Sequence, residues 1–261
     1  MAVSPIEVHG PHLPLGTDVY VSEELLKRYV AALQQRHPEM DCVVMPPLYA
    51  GGTPLPVKGS IAVPVKTLEP LLAAFAKGLA EQGFRYLFIA DNHGGPGHQL
   101  AIEAAARKAY KKYRLYLIDP FNYDYRKMVE CDPEFLKGTG LTKGNCGDDT
   151  DAHAGTNETS LMIVTAPEMI SPAYIDVPAS MPPERRGVAK VMTGMAGLFR
   201  TIGVRRFGSD LDHLAGTLAW TGDKNMKPYM GDPKKASKVA GEAMLRESES
   251  GDGAVRQGTG R

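Results

Sequence analysis

The sequence predicts an α/β fold in which helices pack on the faces of a mostly parallel central sheet. Apolar runs typical of strands lie at 42–46, 85–90 and 114–119, and segments with apolar residues at helical spacing separate them. Because parallel neighbours need a crossover connection, this alternation favours a parallel sheet. The length of 261 residues suits one large domain or two small ones, and we expect a single domain over residues 1–247.

The individual elements follow from apolar periodicity and from the residues that begin or end helices. Pro5 makes the first strand irregular or an edge strand. Ser22 suits the N-cap of the first helix, and Gly83 suits the C-cap of the second. In chain order, the expected strands are 2–8, 42–46, 85–90 and 114–119, and the expected helices are 22–36, 68–82, 98–112, 158–164, 187–201 and 233–247.

Three segments read as lacking regular structure. Residues 47–66 are rich in proline and glycine and form a loop. Residues 120–157 are irregular and polar, and a connection of that length inside a compact domain is usually functional. From Ser248 onward almost no apolar residue occurs, which predicts a disordered tail over residues 248–261.

Composition excludes several classes of protein. Thirty basic and thirty acidic residues give a formal net charge of zero, so no electrostatic footprint for nucleic acid exists. No apolar run is long enough for a membrane span, and the start does not read as a secretory signal. Cys42, Cys131 and Cys146 show no C-x-x-C pattern, which predicts free thiols in a reducing cytoplasm, with Cys42 packed in the core. We therefore expect a cytoplasmic protein with a small-molecule substrate, no nucleic-acid partner and no membrane partner.

A loop near the start concentrates residues that ligate metals. It reads Glu7-Val8-His9-Gly10-Pro11-His12-Leu13-Pro14-Leu15-Gly16-Thr17-Asp18. Carboxylate oxygens and imidazole nitrogens are ligands of divalent ions, and a loop shaped by proline and glycine can aim them at one point. A lone His-x-x-His would read as a solvated turn. The metal interpretation is strengthened because similar residues recur further along the chain.

Histidine is distributed unevenly along the chain. Five of the seven histidines fall in the opening loop, in the segment 91–98 and at His153, whereas His37 and His213 have no ligand-like neighbours in sequence. Glu7, His9 and His93 follow the carboxyl ends of expected strands, where sites gather in open parallel sheets. The glycines of segment 91–98 also allow a phosphate cradle, although no G-x-G-x-x-G or Walker pattern is present.

These motifs together resemble the creatininase (creatinine amidohydrolase) family. The opening loop resembles its signature, Asn92-His93-Gly94-Gly95 its second motif, and His153-Ala154-Gly155 with Glu158-Thr159-Ser160 its third. Gly231-Asp232-Pro233, followed by Ala236, Ser237 and Gly241, is similar to its C-terminal pattern. The resemblance implies a three-layer α/β/α fold and a metal-dependent hydrolase of C–N bonds. It also implies two divalent ions, Zn or Mn with Fe as a further option, and a homo-oligomer such as a hexamer.

The resemblance also implies which residues hold the metals. Glu7, Asp18 and His93 would hold one ion, and His9 and Asp18 the other, so that Asp18 bridges. Creatininase uses a glutamate where this chain has Gly95, and Glu158 is the natural substitute. The competing role for Glu158 is that of an acid at a helix N-terminus. If it does not reach, one metal site is weak or empty.

Catalytic and substrate roles are implied for residues around these ligands. His153 is the candidate that shuttles a proton to the leaving nitrogen, and Glu158 is the second catalytic candidate. Bland roles are expected elsewhere: His12 as structural, His98 as a helix-start residue, Asp91 and Asn92 as orienters of their loop, Asp148, Asp149 and Asp151 as a solvated acidic loop, and Trp220 as packing or as a pocket wall. The substrate-contact candidates are Asn92, Gly94, Gly52 and Thr53.

The substrate stays open at this point. The position of a creatininase tyrosine is Gly94 here, and the chain has one tryptophan, which makes creatinine itself doubtful. Family members act on formamides, on peptide-derived cofactors or on oxidised inositols. The alternatives are therefore an amidohydrolase, a hydrolase or isomerase of an oxidised sugar or inositol ring, and a non-catalytic metal-binding protein, which the missing glutamate at Gly95 would favour.

Overall fold

A computed structural model describes residues 1–250 and shows long helices around short parallel strands. The strands are β1 (Tyr86–Phe88) and β2 (Tyr116–Ile118). The helices are α1 (Thr17–Arg36), α2 (Val65–Glu81), α3 (Pro96–Tyr113), α4 (Phe121–Val129), α5 (Pro133–Thr139), α6 (Thr156–Thr165), α7 (Gly187–Thr201), α8 (Arg205–Thr221) and α9 (Lys238–Ser250). Short 3₁₀ turns lie at Pro167–Met169, Pro172–Asp176 and Pro233–Lys235.

The sheet is parallel and continues beyond its two regular strands. β1 pairs with β2 in register Leu87 to Leu117. On the other side of β1, Val3 N donates to Ala90 O at 3.0 Å, and Leu48 N then donates to Ala2 O at 2.9 Å. Both of these outer pairings are parallel bridges. The mostly parallel sheet is thus confirmed, although residues 2–8 and 85–90 pair over fewer residues than expected.

Two apolar clusters lie on opposite sides of this sheet, because successive strand residues point to opposite faces. One cluster contains Ile89 and packs against α2 and α3, through residues such as Leu72 and Ile102. The other contains Ala90 and packs against α1, α6 and α9, through residues such as Leu25 and Leu245. The arrangement is the three-layer α/β/α fold that the motifs implied.

The expected buried strand at 42–46 is wrong. Val43 and Val44 are 67% and 58% exposed, and no strand is formed there. Cys42 is half-buried rather than part of the core. Two prolines follow at 46 and 47, and because proline donates no backbone hydrogen bond, pairing with the sheet begins only at Leu48.

Helix boundaries also differ in informative ways. α1 begins at Thr17, so Ser22 is not its N-cap; Ser22 is buried inside the helix, and its Oγ lies 2.7 Å from Oγ of Ser4. Gly83 has φ +90 after the end of α2, as expected for a C-terminal glycine. The last predicted helix starts later, at Lys238, after the 3₁₀ turn at Pro233–Lys235.

The segment 120–157 is not irregular throughout, since it contains α4 and α5. Asp132 caps α5 by accepting from the backbone N–H of Glu134 and Phe135, which is an ordinary N-cap signal. α8 was not expected at all, and it carries His213. Of these helices, α4 and α8 matter most because both line the cavity of the candidate site.

Two expectations concern the ends and surroundings of the chain. The proposed tail overlaps α9 at residues 248–250, and its remainder lies outside the described residues. Over the described part of the chain, no helix combines the length and apolarity needed to cross a membrane. A single domain over 1–247 stays a prediction.

Candidate metal centre

The three histidine-bearing segments meet at one edge of the sheet. Glu7 and His9 follow the segment that pairs with β1, and His93 follows β1 itself. Asp18 lies in the first turn of α1, and Glu158 lies in the first turn of α6. The elements therefore deliver side chains from distant parts of the sequence to one buried point.

The first group of possible ligands is Glu7, Asp18 and His93. Nδ1 of His93 lies 2.9 Å from Oε2 of Glu7 and 3.4 Å from Oδ2 of Asp18. All three side chains are buried, and one potential ligand atom from each lies within 4.8 Å of the others. This spacing suits three ligands around one ion.

The second group is His9, Asp18 and Glu158. Nε2 of His9 lies 3.4 Å from Oδ1 of Asp18 and 3.7 Å from Oε1 of Glu158. Asp18 thus offers one carboxylate oxygen to each group. His153 is also near, because Glu7, His9 and His153 form a further group within the same 4.8 Å limit.

Backbone carbonyls fix how the histidine rings are turned. Nδ1 of His9 lies 3.1 Å from the carbonyl of Glu7, Nε2 of His93 lies 3.0 Å from that of Gly52, and Nε2 of His153 lies 2.8 Å from that of Val8. A ring nitrogen facing a carbonyl must carry a hydrogen, so the other nitrogen of a neutral ring presents its lone pair. In each ring that other nitrogen faces the ligand groups.

Several buried atoms in these groups have no hydrogen-bond partner. They include Oε2 of Glu7, Nε2 of His9 and Oδ2 of Asp18. The contacts between them are close but are not aligned as hydrogen bonds, as expected when lone pairs converge on a common third point. Since buried polar atoms left unpaired are costly, the residues present fit divalent ions held at these two groups.

The charges lead to the same interpretation. Burial by itself would lower the pKa of His9, but Asp18 and Glu158 outweigh it and hold that pKa well above the ordinary value. The pKa of His93 is raised in the same way, because the effects of Glu7 and Asp18 outweigh that of burial. Burial would raise the pKa of Asp18, yet His9 and His93 keep it well below its usual range. Protons on the imidazoles therefore balance the carboxylates, and a cation could replace them.

Glu158 lies where a missing ligand would be needed. Its Oε2 accepts from the backbone N–H of Ala154 at 2.5 Å, which leaves Oε1 directed at His9. A Cβ placed on Gly95 would overlap Nε2 of His93 and the atoms of Thr53, so a longer side chain does not fit there. In this chain Gly95 is required by packing around His93.

Other predicted residues support the ligands. Asp91 is buried, accepts from the backbone N–H of His93 at 3.0 Å and lies 3.2 Å from Nε2 of His98. His98 is in the first turn of α3 as expected, and its Nδ1 accepts from the backbone N–H of Gly52. His12 lies 3.0 Å from Oγ1 of Thr159, which agrees with a structural role.

A cavity of about 400 Å³ opens beside the two groups. Among the substrate-contact candidates, Asn92, Gly94 and Thr53 line it, and Asn92 also lies 3.4 Å from Oδ1 of Asp18. Gly52 instead is buried and holds the ring of His93 through its carbonyl. Trp220 lines the cavity too, with its ring 5.6 Å from that of His153.

The acidic loop expected to be solvated is wrong. Asp148 and Asp151 are buried, and Asp151 accepts from the backbone N–H of Gly147, Thr156 and Asn157. The reason is that α6 begins against this loop, so its free N–H groups need buried acceptors. Asp149 lies beside His213 instead, with Oδ1 2.6 Å from Nδ1 of the imidazole.

His213 and Tyr125 are the cavity residues that sequence reasoning missed. The hydroxyl of Tyr125, from α4, forms a short contact with Nε2 of His213, from α8. Both side chains line the same cavity as Glu7 and His153. The apolar spacing of residues 205–221 would have predicted α8, although no motif links it to the opening loop.

Comparisons with known proteins agree with this geometry. Residues 1–249 match the sequence model of a family described as creatininase, creatinine amidohydrolase. The mycofactocin precursor peptide peptidase of Mycolicibacterium smegmatis is 27% identical over 170 residues, which cover 64% of this chain and 57% of that protein. The chain thus spans less than two thirds of that relative's length.

Solved structures show the same fold. One described as creatininase Mn has a TM-score of 0.61 and 19% identity, and covers 100% of this chain and 91% of its own. A creatininase mutant described as a Zn-Zn type has a TM-score of 0.62 and 20% identity with the same coverage. At these identities the similarity concerns the fold alone.

Proposed function

Because this chain belongs to the creatininase family, we propose that it is a metal-dependent hydrolase that cleaves a C–N bond of an amide. One observation carries the proposal: two groups of buried ligands share Asp18 beside a cavity. A pair of ions that share a carboxylate is the arrangement that the sequence motifs implied, and it suits hydrolysis by an activated water.

The candidate ligands form two sets. Glu7, Asp18 and His93 would hold one ion, and His9, Asp18 and Glu158 would hold the other. Zn and Mn are the ions to test first, since related structures carry those names, and Fe is the third. When bound, such ions lower the pKa of a bound water from about 15.7 toward 7 and polarise the substrate carbonyl.

His153 serves as a proton shuttle in this proposal. Its Nε2 is fixed by the carbonyl of Val8, and its Nδ1 lies 4.0 Å from Oε2 of Glu158. The ring therefore faces both the second ligand group and the cavity. From that position His153 can take up the proton that the attacking water loses and pass it on.

The residues that line the cavity favour a substrate with an apolar part. Leu55, Trp220 and Met230 form an apolar cluster, and all three line the cavity. The name of the mycobacterial relative adds that a peptide-like amide belongs in the first round of tests. Nothing observed favours a ring hydrolase or isomerase, and the position of Glu158 removes the main support for a non-catalytic role. Cytoplasmic location and a homo-oligomer stay predictions.

The test is a substrate screen on metal-free protein reloaded separately with Zn, Mn or Fe. Formamides, cyclic amides, short peptides and keto-inositols are supplied; new amine is measured for the amides, and loss of substrate is measured for the keto-inositols, which contain no nitrogen. We expect amine from at least one amide only when metal is present. Undiminished turnover by fully chelated protein would overturn the proposal.

A further inference from the structure

Three residues outside the metal groups form a chain of hydrogen bonds that ends in the cavity. The hydroxyl of Tyr125 contacts Nε2 of His213, and Nδ1 of His213 lies 2.6 Å from Oδ1 of Asp149. The three come from α4, from α8 and from the loop before α6. In such a line the phenol and the imidazole can exchange a proton, and the carboxylate orients the imidazole.

The carboxylate end of this chain is firmly held. Oδ2 of Asp149 accepts from Nη2 of Arg185 at 3.0 Å. Burial would raise the pKa of Asp149, but His213 and Arg185 outweigh it and hold that pKa below its usual range. An ionised Asp149 holds the imidazole through its Nδ1 and orients it so that Nε2 faces the phenol.

The phenol end lies against the metal-binding loop. A Cβ placed on Gly94 would overlap the ring of Tyr125, so this ring packs directly on the backbone of the residue after His93. Tyr125, His93 and His153 all line the same cavity. His153 lies beside Glu158 and His9, whereas Tyr125 reaches the cavity from the side of Gly94.

We infer that Tyr125, which is held by His213 and Asp149, donates the proton that the leaving nitrogen needs. This inference rests on the proposed function, because it names the proton donor of that reaction. It also divides the proton transfers that were first assigned to His153 alone: His153 receives the proton of the attacking water, and Tyr125 protonates the departing amine.

Two proton transfers accompany the cleavage of the C–N bond. The water oxygen forms a bond to the carbonyl carbon and gives one proton to His153. The C–N bond breaks with its electron pair on nitrogen, and the hydroxyl proton of Tyr125 moves to that nitrogen. The phenolate left on Tyr125 then takes up a proton from solvent by way of Nε2 of His213.

Tyr125 suits a donor rather than a nucleophile. Burial first, and then the negative charges of Asp149 and Asp210, raise the pKa of its phenol above the ordinary value. The group therefore keeps its proton until a stronger base, such as the departing nitrogen, is next to it.

The experiment compares leaving groups of different basicity. The probes are para-nitroanilides and para-methoxyanilides of an acyl group that the metal-loaded wild-type protein turns over. A good leaving group such as nitroaniline departs without much help, whereas methoxyaniline needs a proton. We expect Tyr125→Phe to lose about 10²-fold in kcat with the methoxyanilide, and less than about a tenth of that factor with the nitroanilide. His213→Gln should show the same pattern, and the metal content of both variants should equal that of wild type.

His153→Gln is the matched comparison, since it removes the other histidine that faces the cavity. We expect it to slow both anilides by the same factor. Equal losses for both anilides in Tyr125→Phe, or a leaving-group dependence confined to His153→Gln, would overturn the inference and leave the proposed function intact. A metal-loaded wild type that turns over no anilide or other amide would overturn both.

Discussion

Nδ1 of His93 lies 2.9 Å from Oε2 of Glu7, although the two residues follow different segments of the sheet. The contact is not aligned as a hydrogen bond, since Oε2 of Glu7 has no partner by that criterion. The other oxygen of Glu7 accepts from the backbone N–H of Leu55 at 2.5 Å. One oxygen is thus anchored to the main chain, and the other is left for a metal.

Replacing Glu7 tests this division directly. Glu7→Gln keeps the size of the side chain but removes its negative charge, so we expect the metal content per chain to fall by about one ion and activity to fall by 10²-fold or more, in keeping with a lost ligand. Elemental analysis of the purified protein measures the first quantity. Glu103→Gln is the control and should keep its metal, because Glu103 is exposed and pairs with Arg107. Equal metal content in both variants would contradict the assignment.

The raised pKa values of His9 and His93 predict how pH acts on the metal-free protein. A histidine whose folded pKa lies above its unfolded value of about 6.5 stabilises the fold below that pH, and this stability is lost as pH rises through the folded pKa. Asp18 and Glu7 have lowered pKa values and stay ionised there, so they do not offset the loss.

We therefore expect the melting temperature of metal-free protein to fall as pH rises from about 6 to 9. Added Zn or Mn should restore it, and the increase caused by metal should grow with pH because metal and protons compete for the same nitrogens. Scanning calorimetry at several pH values measures both effects. A metal effect that shrinks as pH rises would show that protons do not occupy the metal positions.

Gly95 is expected to tolerate no side chain. Gly95→Ala puts a methyl group against Nε2 of His93 and against Thr53, so we expect a loss of about 1–3 kcal/mol in the free energy of unfolding together with weaker metal binding. Gly78→Ala is the control, because that position in α2 has open space around it and alanine favours helix by about 1 kcal/mol. Urea unfolding of both variants gives the comparison. Similar behaviour of the two would show that Gly95 is not needed for packing.

Asp151 is expected to be the more important of two helix-capping aspartates. Asp151→Ala would leave three N–H groups without this acceptor, of which those of Thr156 and Asn157 are buried, at a cost of about 1–3 kcal/mol for each buried unpaired group. Asp132 caps α5 with two such contacts at a half-exposed position, where Asp132→Ala should cost about 0.5–2 kcal/mol. Chemical denaturation of both variants measures the difference. A smaller loss for Asp151→Ala would contradict the role given to burial.

The sequence was sufficient for the fold class and for the convergence of the ligand segments. Glu7, His9 and His93 follow segments that pair in a parallel sheet, and parallel strands end at the same edge. The proximity of Glu158 was also expected, from the resemblance of the segment that contains it to the third family motif. The type of a residue and its position directly after a strand are both local properties of the chain, and together they predict this convergence.

The proton chain through Tyr125, His213 and Asp149 was not foreseeable in the same way. Each of these residues lies in a different element, and their contact depends on how α8 packs, which periodicity does not encode. The solvated-loop interpretation of Asp149 failed for the same reason. The predicted strand that contains Val43 and Val44 was wrong for a different reason. An apolar run does not by itself distinguish a core strand from an exposed segment.

The histidines of the candidate centre are turned by the carbonyls of Glu7, Gly52 and Val8, and these are atoms that every amino acid possesses. Mutation can therefore exchange the side chains around the cavity, such as Leu55 or Trp220, without touching the atoms that aim the rings. In a scaffold organised in this manner, evolution can change which compounds the cavity accepts while the orientation of the histidine rings is inherited unaltered.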